Sequence, residues 1–559
     1  MIVLGLNYSA QHDAAAAIAQ DEHILFAVAE ERVSRIKHDG GFPKLAIEAS
    51  LHHTGISLSE IDQIVCGWPA LHQVFMNDIK NYVLRKMPGS ATDVARGLAK
   101  GTIGATFSSM QRLIERYFGK TKATYRSLAH HHAHALSAYV ASGFERSVIL
   151  VMDGRGAWEA TSIWLGEGAT LRCLRTIPWP NSLGLFYATL TGYLGFEKYR
   201  DEWKVMGLAP YGKPGISLAP LISYGNGTYK VRTDLLLSRR DNREYGAIEE
   251  LLGSRRRPDE ELTQRHKDIA WAVQNVCEEV ECEILQHAVA ETGCRSVCIA
   301  GGVGLNSKAN GVFLQRRILD DIFVQPAAGD DGVALGAALL PAFELCKRPP
   351  ELTSCYFGPS YQDHEIRRTL DTYKLRYKAV VDPSREAAEL LAQAKLVGWF
   401  QGREEFGPRA LGNRSILADP RHEENRDKVN MAVKFRESWR PFAPSVLADA
   451  CPGLFENFYN SPFMILTFPA KPEARDKIAA AIHVDGSARV QSVTKEQNPR
   501  YYALISEFER LTGVPAVLNT SFNLKGEAIV STPFDAIRTF FTSGLDALVI
   551  GGFVLRKAE

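Results

Sequence analysis

Four residues have the types and spacing of a metal shell: His130 and His134 in HHHAHALSAY, Asp153 in VMDGRG, and Asp330 in AAGDDGVALGAAL. The histidines stand four apart in a segment that reads as helix, so they project from one face. Each aspartate ends an apolar run and opens a glycine-rich turn. Two imidazoles and two carboxylates suit a divalent cation such as iron, manganese or zinc. An HxxxH pair by itself is more often packing than ligation, so the weight of this reading lies in its setting. Two further groups could do proton or anion chemistry. His12 sits in the first turn of the chain, where a cleft-facing imidazole could take a proton from an alcohol, although a single histidine is more often structural. Lys37 stands among Arg32, Arg35 and His38 in EERVSRIKHDGGFP.

The elements that must position these groups read as a duplication. MIVLGLNYSAQHDAAAAIAQDEHILFAVAEE has the order strand, small-residue turn, strand, acidic turn, strand. The stretch from Ser147, SVILVMDGRGAWEATSIWLGEGATLRCLRTI, repeats that order about 145 residues later. Such an internal repeat predicts an actin-like α/β domain, each half presenting a phosphate-facing turn to a cleft between them; two unrelated meanders are the plain alternative. Further on, SVCIAGGVGLNSKANG reads strand, glycine-rich turn, helix. Gly301 and Gly302 allow close backbone approach, and the helix start offers N–H donors to phosphate. Asn306 and Asn310 are expected on one face of that helix, within reach of a ribose or phosphate.

Composition bounds the rest. The chain has 559 residues, 45% hydrophobic and 23% charged, with a net charge of +1, which fits a multidomain globular protein. Near-neutral charge argues against a broad nucleic-acid or anionic-membrane surface. No run long enough to span a bilayer is present, and the first residues read as a core strand and not as a signal peptide. Nine scattered cysteines without a CxxC pair predict reduced thiols and a cytoplasmic setting. The best domain boundary is at Pro349-Pro350, giving domains 1–350 and 351–559. Residues 212–265 are charged and poor in apolar runs, and read as an insertion or lid.

The C-terminal half carries FQGREEFGPRALGNRSILADPR and KFRESWRPFAPS. Ten Lys and Arg residues lie between Lys395 and Arg440: 395, 403, 409, 414, 421, 426, 428, 434, 436 and 440. They are interleaved with Gly, Pro and apolar residues including Phe406, Phe435, Trp439 and Phe442. That composition predicts guanidinium groups aimed inward at a small polyanion, against the plainer possibility of a solvated basic face. Arg489 in VDGSARVQSV, and Asn519, Thr520, Ser521 and Asn523 after the strand of VPAVLNTSFNLKGEAIV, are candidate phosphate or ribose contacts. A turn that satisfies its own backbone would read the same way.

GPRALGNRSILADPR, KFRESWRPFAP, VQSV, LNTSFNLKGEAIV, EERVSRIKHDGGFP and HHHAHALSAY together resemble the O-carbamoyltransferases of the NodU/TobZ family over nearly the whole chain. The resemblance implies a duplicated actin-like (ASKHA) N-terminal domain of the TsaD type, followed by a YrdC-like α/β C-terminal domain. It implies that the latter turns carbamoyl phosphate and ATP, with Mg2+, into carbamoyl-adenylate, and that the former carries the carbamoyl group to a hydroxyl of a small natural-product or sugar-like acceptor. By motif, His130, His134, Asp153 and Asp330 would hold the metal, Fe2+ first among Fe2+, Mn2+ and Zn2+. Gly302 and Asn306 would bind the adenylate, with His12 and Lys37 near the reacting carbamoyl. Arg409 and Arg440 would bind carbamoyl phosphate, and Lys434, Arg489, Asn519 and Ser521 would bind ATP. Ala157 stands where the family pattern has an acid after DGxG, and Asp331 offers a rival to Asp330. No nucleic-acid or membrane partner is expected; a homodimer is carried as a candidate assembly. Two other readings stay open at this point: a threonylcarbamoyl-type tRNA-modification enzyme, and a non-catalytic actin-like nucleotide switch.

Overall fold

The computed structural model describes residues 1–9, 12–69, 110–237, 245–348, 350–434, 436–437 and 439–557. Pro349, Phe435 and the stretch 238–244 inside the expected lid lie outside them. The chain forms two compact units. One comprises Met1–Ala27 with Gly40–Glu351, the other Val28–Asp39 with Leu352–Glu559. The change of unit at Glu351 falls beside the expected boundary, but a cut at 350 misplaces one piece. Residues 28–39 belong with the C-terminal half, taking Arg32, Arg35 and Lys37 with them.

The first unit holds two five-stranded sheets. One is built from β1 (Ile2–Asn7), β2 (Ala15–Gln20), β3 (His23–Ala29), β4 (Gln63–Cys66) and β5 (Thr124–Ser127), in the order β3-β2-β1-β4-β5. The second contains β6 (Arg146–Met152), β7 (Glu159–Glu167) and β8 (Thr170–Pro178). After a hairpin of β9 (Ile222–Gly225) and β10 (Thr228–Val231), it is completed by β11 (Ser296–Ala300) and β12 (Asp321–Val324), in the order β8-β7-β6-β11-β12. The strand order is the same in both. β1 is antiparallel to β2 and parallel to β4, as β6 is antiparallel to β7 and parallel to β11, and the outer pairs β4–β5 and β11–β12 are also parallel. The first unit is thus a duplicated actin-like domain. β1 and β6 sit mid-sheet and are almost continuously apolar because both faces are covered; five of six residues of β1 and six of seven of β6 are buried.

Each fifth strand leads to a helix that is buried over nearly its full length, His130–Ala141 after β5 and Val333–Glu344 after β12. These two equivalent helices pack against each other. Their approach is set by small residues: a Cβ on Gly336 would stand 2.0 Å from the carbonyl oxygen of Ala133, and one on Gly5 of β1 would stand 2.2 Å from that of Ala334. The expected lid is only partly irregular. It contains the β9–β10 hairpin, the helix Gly246–Leu252 and the start of a 29-residue helix, Gln264–Thr292.

The second unit is built on a mixed eight-stranded sheet. Its strands are β13 (Lys378–Ala379), β14 (Val397–Phe400), β15 (Arg414–Ala418), β16 (Ala443–Leu447), β19 (Gln491–Val493), β20 (Ala516–Ser521), β21 (Ala547–Ile550) and β22 (Phe553–Arg556), with the short pair β17 (Thr467–Pro469) and β18 (Ser487–Arg489) beside it. The order is β13-β22-β21-β14-β15-β20-β16-β19. Phe400, Ile416, Leu518, Phe522, Leu548 and Ile550 form its core together with Ile537 and Phe540 from the helix Pro533–Phe541. Asn519 and Ser521 lie within β20 and not after it, so their side chains are fixed by strand pairing with β15 and, for Asn519, also with β16. All nine cysteines are free. Among the described residues no helix is long and apolar enough to cross a membrane.

Candidate metal centre and anion site

In the first unit the duplication brings the four predicted donors together. His130 and His134 open one of the two packed helices. Asp330 sits at the start of the other, in a 3₁₀ turn Asp330–Gly332, and Asp153 follows β6. One ligand atom from each lies within 4.8 Å of every other, and all four residues are buried. His130 Nε2 is 3.2 Å from Asp153 Oδ2, 3.5 Å from Asp330 Oδ1 and 3.1 Å from His134 Nε2. His134 Nε2 is 3.6 Å from Asp153 and 3.8 Å from Asp330. A tetrahedral ion with bonds of about 2.1 Å has ligand–ligand edges of about 3.4 Å, so these separations match such a shell.

The donors are also turned the right way. His130 Nδ1 lies 3.3 Å from the Gly67 carbonyl, which can only accept. Nδ1 therefore carries the hydrogen and Nε2 keeps its lone pair toward the centre. Asp153 Oδ1 accepts from Gly154 N–H at 2.8 Å, leaving Oδ2 inward. Lone pairs and carboxylate oxygens converging on one buried point require a positive charge there, a proton or a metal ion. Burial pushes the His130 imidazole down, but the charges of Asp330 and Asp153 more than offset this and hold it at about 9. Burial likewise opposes ionisation of Asp153, yet hydrogen bonds from His130 and His134 keep its carboxyl well below the usual range.

His12 stands at the edge of this centre, its Nδ1 3.2 Å from Asp13 Oδ2 and 3.9 Å from Asp330 Oδ2. The Asp330 charge, against the effect of burial and with help from Asp13, raises the imidazole to about 10. Asp331 is half-buried and is not one of the four converging residues, so the turn selects Asp330. Gly302 lines the centre: a Cβ there would stand 3.3 Å from Asp153 Oδ1. Gly301 has φ +87° and its Cβ would meet the Met152 carbonyl at 2.2 Å, so this turn tolerates no side chain. Asn306 and Asn310 are placed otherwise than expected. Asn306 precedes the helix Ser307–Gln315 and caps it through Ala309 N–H at 3.2 Å, while its amide exchanges 3.1 Å hydrogen bonds with Gln274. Asn310 is buried and donates to the Gly304 carbonyl. Both side chains brace the glycine-rich turn.

The second unit gathers cations. Lys434 ends a π-helical turn, Asn430–Lys434, and its ammonium is held by Ser521 O at 2.6 Å, Ser521 Oγ at 3.2 Å, Asn523 O at 3.1 Å and Asn523 Oδ1 at 2.8 Å. Burial drives this ammonium well below its ordinary range, and the charges of Arg436, Arg440 and Lys37 add to that. Burial lowers Arg489 in the same way, with Arg409 and Arg436 adding to it, and burial alone lowers Arg409. Arg436 is pinned by Asn430 Oδ1 at 2.6 Å and stacks over Phe442 at 4.3 Å. Glu437 sets one carboxylate against the group, 3.6 Å from Arg440 Nη1. Arg489 Nε and Asn519 Oδ1 are buried and have no hydrogen-bond partner among the described residues. Lys434 is buried and the four arginines around it are half-buried; desolvated cations clustered in this way suit a polyanion.

The basic block does not act as one group, contrary to expectation. Arg414 spends its guanidinium on the carbonyls of Gln401, Gly402, Asn413 and Pro359 and lies 3.8 Å over Phe400. Arg421 pairs with Asp419, Arg426 with Glu423 and Asp427, and Lys395 and Lys428 approach Asp546. Arg403 donates to Phe357 O and Gly358 O. Only Arg409, Lys434, Arg436 and Arg440 join the cluster, with Arg489 from outside the block. Lys37 lies in the second unit, and its charge is among those that disfavour protonation of Lys434. Arg436 was expected only as one of the ten residues of the basic block, and Asn523, expected as a phosphate or ribose contact, is engaged by Lys434. The KFR spacing places Arg436 two residues from Lys434, and that was the available signal.

The topology of the first unit defines an actin-like domain, and the donor set at its two helix starts could hold a cation. In the second unit an α/β domain carries clustered positive charge around the buried Lys434. Residues 2–339 match the family description "Carbamoyltransferase N-terminus" and residues 388–557 "Carbamoyltransferase C-terminus". The chain is 38% identical to "Nodulation protein NolNO" of Sinorhizobium fredii over 99% of its own length and 80% of that protein. It is 41% identical to "Nodulation protein NolO" of Bradyrhizobium diazoefficiens over 77% and 78%, and 39% identical to an uncharacterised Synechocystis protein over 99% and 96%. The chain belongs to the carbamoyltransferase family, and it is an enzyme of that family.

Proposed function

We propose that the chain is an ATP-dependent O-carbamoyltransferase that works in two steps. In the first, carbamoyl phosphate loses its phosphate to water, and the carbamate oxygen attacks the α-phosphorus of ATP. Pyrophosphate leaves and carbamoyl-adenylate remains. In the second, the hydroxyl of a small acceptor attacks the carbamoyl carbon, AMP leaves, and the acceptor keeps the carbamoyl group. The observation that carries this reading is the cluster of desolvated cations in the second unit, the buried Lys434 with the half-buried Arg409, Arg436, Arg440 and Arg489, and Glu437 as the carboxylate beside them. Both substrates are polyanions, and planar guanidiniums in a desolvated pocket favour them. Arg409 and Arg440 would take carbamoyl phosphate; Lys434, Arg489, Asn519 and Ser521 would take ATP with its Mg2+.

In the first unit His130, His134, Asp153 and Asp330 would hold a divalent cation, Fe2+ first, Mn2+ or Zn2+ otherwise. That cation would supply Lewis-acid neutralisation of the leaving phosphate. Gly302, next to Asp153, lets a ligand approach the backbone, and His12 at the rim is placed to manage the acceptor's proton. The Asp330 charge raises this imidazole, so a cation held by that carboxylate would bring it back toward the range of a base. Asn306 would shape the turn that meets the adenylate and would not itself contact it. The natural acceptor is a small hydroxylated compound, as in natural-product pathways, with no nucleic acid or membrane involved. The test is pyrophosphate release from ATP with and without carbamoyl phosphate. Release that depends on carbamoyl phosphate supports the reading; release that ignores it, or none, refutes it.

A further inference from the structure

We infer that Val28–Asp39, encoded next to the first strands of the actin-like domain, is a working part of the second unit's anion site: Arg32 and Arg35 position the loop that carries Arg409 and the loop that seats Lys434. The inference rests on the anion-site reading above. The segment falls within the residues matched to the family's N-terminal half, yet it belongs to the second unit. It is held there by buried charge. Arg32 is 4% exposed; its Nη1 pairs with Glu404 Oε1 at 2.7 Å and its Nη2 donates to the Gly407 carbonyl at 2.5 Å. Glu404 is 1% exposed and its other oxygen accepts from Ser531 Oγ at 2.5 Å. Arg35 donates to the carbonyls of Ile529 at 2.5 Å and Ala528 at 2.8 Å and lies 3.4 Å from Asp535.

These anchor points are the supports of the pocket. Gly407 precedes Arg409 by two residues. Ala528 follows Glu527, whose carbonyl accepts from Asn523 Nδ2 at 2.7 Å, and Asn523 Oδ1 accepts from Lys434 Nζ at 2.8 Å. Arg32 therefore fixes the loop that carries Arg409, and Arg35 fixes the loop that seats Lys434. Carbonyl oxygens held by a buried guanidinium have no slack, since releasing one leaves it unsatisfied in a desolvated place. The charge of Lys37, two residues after Arg35, is also among those that disfavour protonation of Lys434. A segment needed only to link two units requires none of this.

The test uses the full chain, titrated calorimetrically with inorganic pyrophosphate and with ATP well below the unfolding temperature, beside a thermal melt and a metal assay. Arg35→Ala is expected to weaken pyrophosphate binding by about tenfold, at a temperature where the variant is fully folded and with metal content unchanged; a purely structural arginine would lower the melting point and leave affinity alone. Arg35→Lys, whose single ammonium replaces a fork that reaches both the Ile529 and Ala528 carbonyls, should bind better than Arg35→Ala and still more weakly than the wild type. If Arg35→Ala binds within about twofold of the wild type, the inference fails; where it does not fold, Arg35→Lys decides, and wild-type affinity there overturns the inference. If the wild type binds neither pyrophosphate nor ATP, the anion-site reading itself fails and this inference falls with it.

Discussion

In the first unit two buried imidazoles face two buried carboxylates across 3.2 to 3.8 Å. In the second, Arg409, Lys434, Arg436, Arg440 and Arg489 crowd together against the carboxylate of Glu437. The first centre is balanced between acids and bases. The second is a store of like charge that lowers the protonation of its own members. Desolvation disfavours both arrangements of charge, but what would offset it differs. On the proposed function a metal ion would complete the first and become part of the fold's stability, while a polyanionic substrate would complete the second and leave with each turnover.

Breaking the balanced centre should have the largest effect. Asp330→Ala or His130→Ala removes one of four ligands and leaves the others converging without compensation. Metal content after purification should fall by at least about hundredfold, beyond what loss of a supporting contact causes, and carbamoyl transfer should be abolished. Full metal occupancy in either variant would remove the assignment.

The uncompensated centre should respond in the opposite sense for stability. Arg489→Met removes a buried charge from like neighbours, so the empty protein should become more stable. About 1 kcal/mol of relief would raise the melting point by about 2–4 °C, while affinity for ATP falls by about 2–5 kcal/mol. A lower melting point together with unchanged ATP affinity would contradict the anion-site assignment and make Arg489 an ordinary structural residue.

A third variant tests buried charge away from both centres. Glu281 lies on the Gln264–Thr292 helix, wholly buried, with Cys277 Sγ 3.1 Å from its Oε1. Burial, opposed by the Cys277 contact and helped by Glu278, pushes its carboxyl from 4.5 up to about 8. The folded state thus holds a proton that the unfolded chain gives up, and stability must fall as pH rises from about 4.5 to about 8. Glu281→Gln should flatten that slope. It should raise stability by a few kcal/mol above pH 8 and change little at pH 4, as read from denaturant midpoints at each pH. An unchanged pH slope would show that Glu281 does not titrate in this window.

Gly336→Ala probes how the first centre is held. Its new methyl would meet the Ala133 carbonyl at 2.0 Å and pry apart the helices that carry His134 and Asp330. A loss of about 1–3 kcal/mol in stability is expected, with weakened metal retention although no ligand is touched. Metal retention equal to wild type would mean that the helix approach does not set the site. The smallest effect belongs to Arg421→Ala. Its partner is the neighbouring Asp419 and not the cluster, so ATP affinity should stay within about twofold of wild type and stability within about 1 kcal/mol. A large loss would return the whole basic block to a single site.

These contrasts also separate what the sequence displays from what it hides. The metal quartet was legible because helix spacing puts His130 and His134 on one face, and because Asp153 and Asp330 end apolar strands at glycine turns. The duplication was legible in the repeated strand–turn order. The division of the basic block was hidden, since Arg414 and Arg409 have the same composition around them and differ in whether backbone carbonyls surround the guanidinium. The membership of residues 28–39 was hidden because the partner of Arg32 is Glu404, 372 positions away, while its chain neighbours are in β3. The capping role of Asn306 was hidden because an N-cap and a phosphate contact ask for the same residue at the same place.

The claim that the two centres perform separate steps is tested most directly by carbamoyl-phosphate-dependent pyrophosphate release in the folded His134→Ala chain, measured beside Lys434→Ala. The account predicts that His134→Ala still releases pyrophosphate while leaving the acceptor unmodified, and that Lys434→Ala releases none. Equal and complete loss of release in both folded variants would contradict it and place both steps in one shared site.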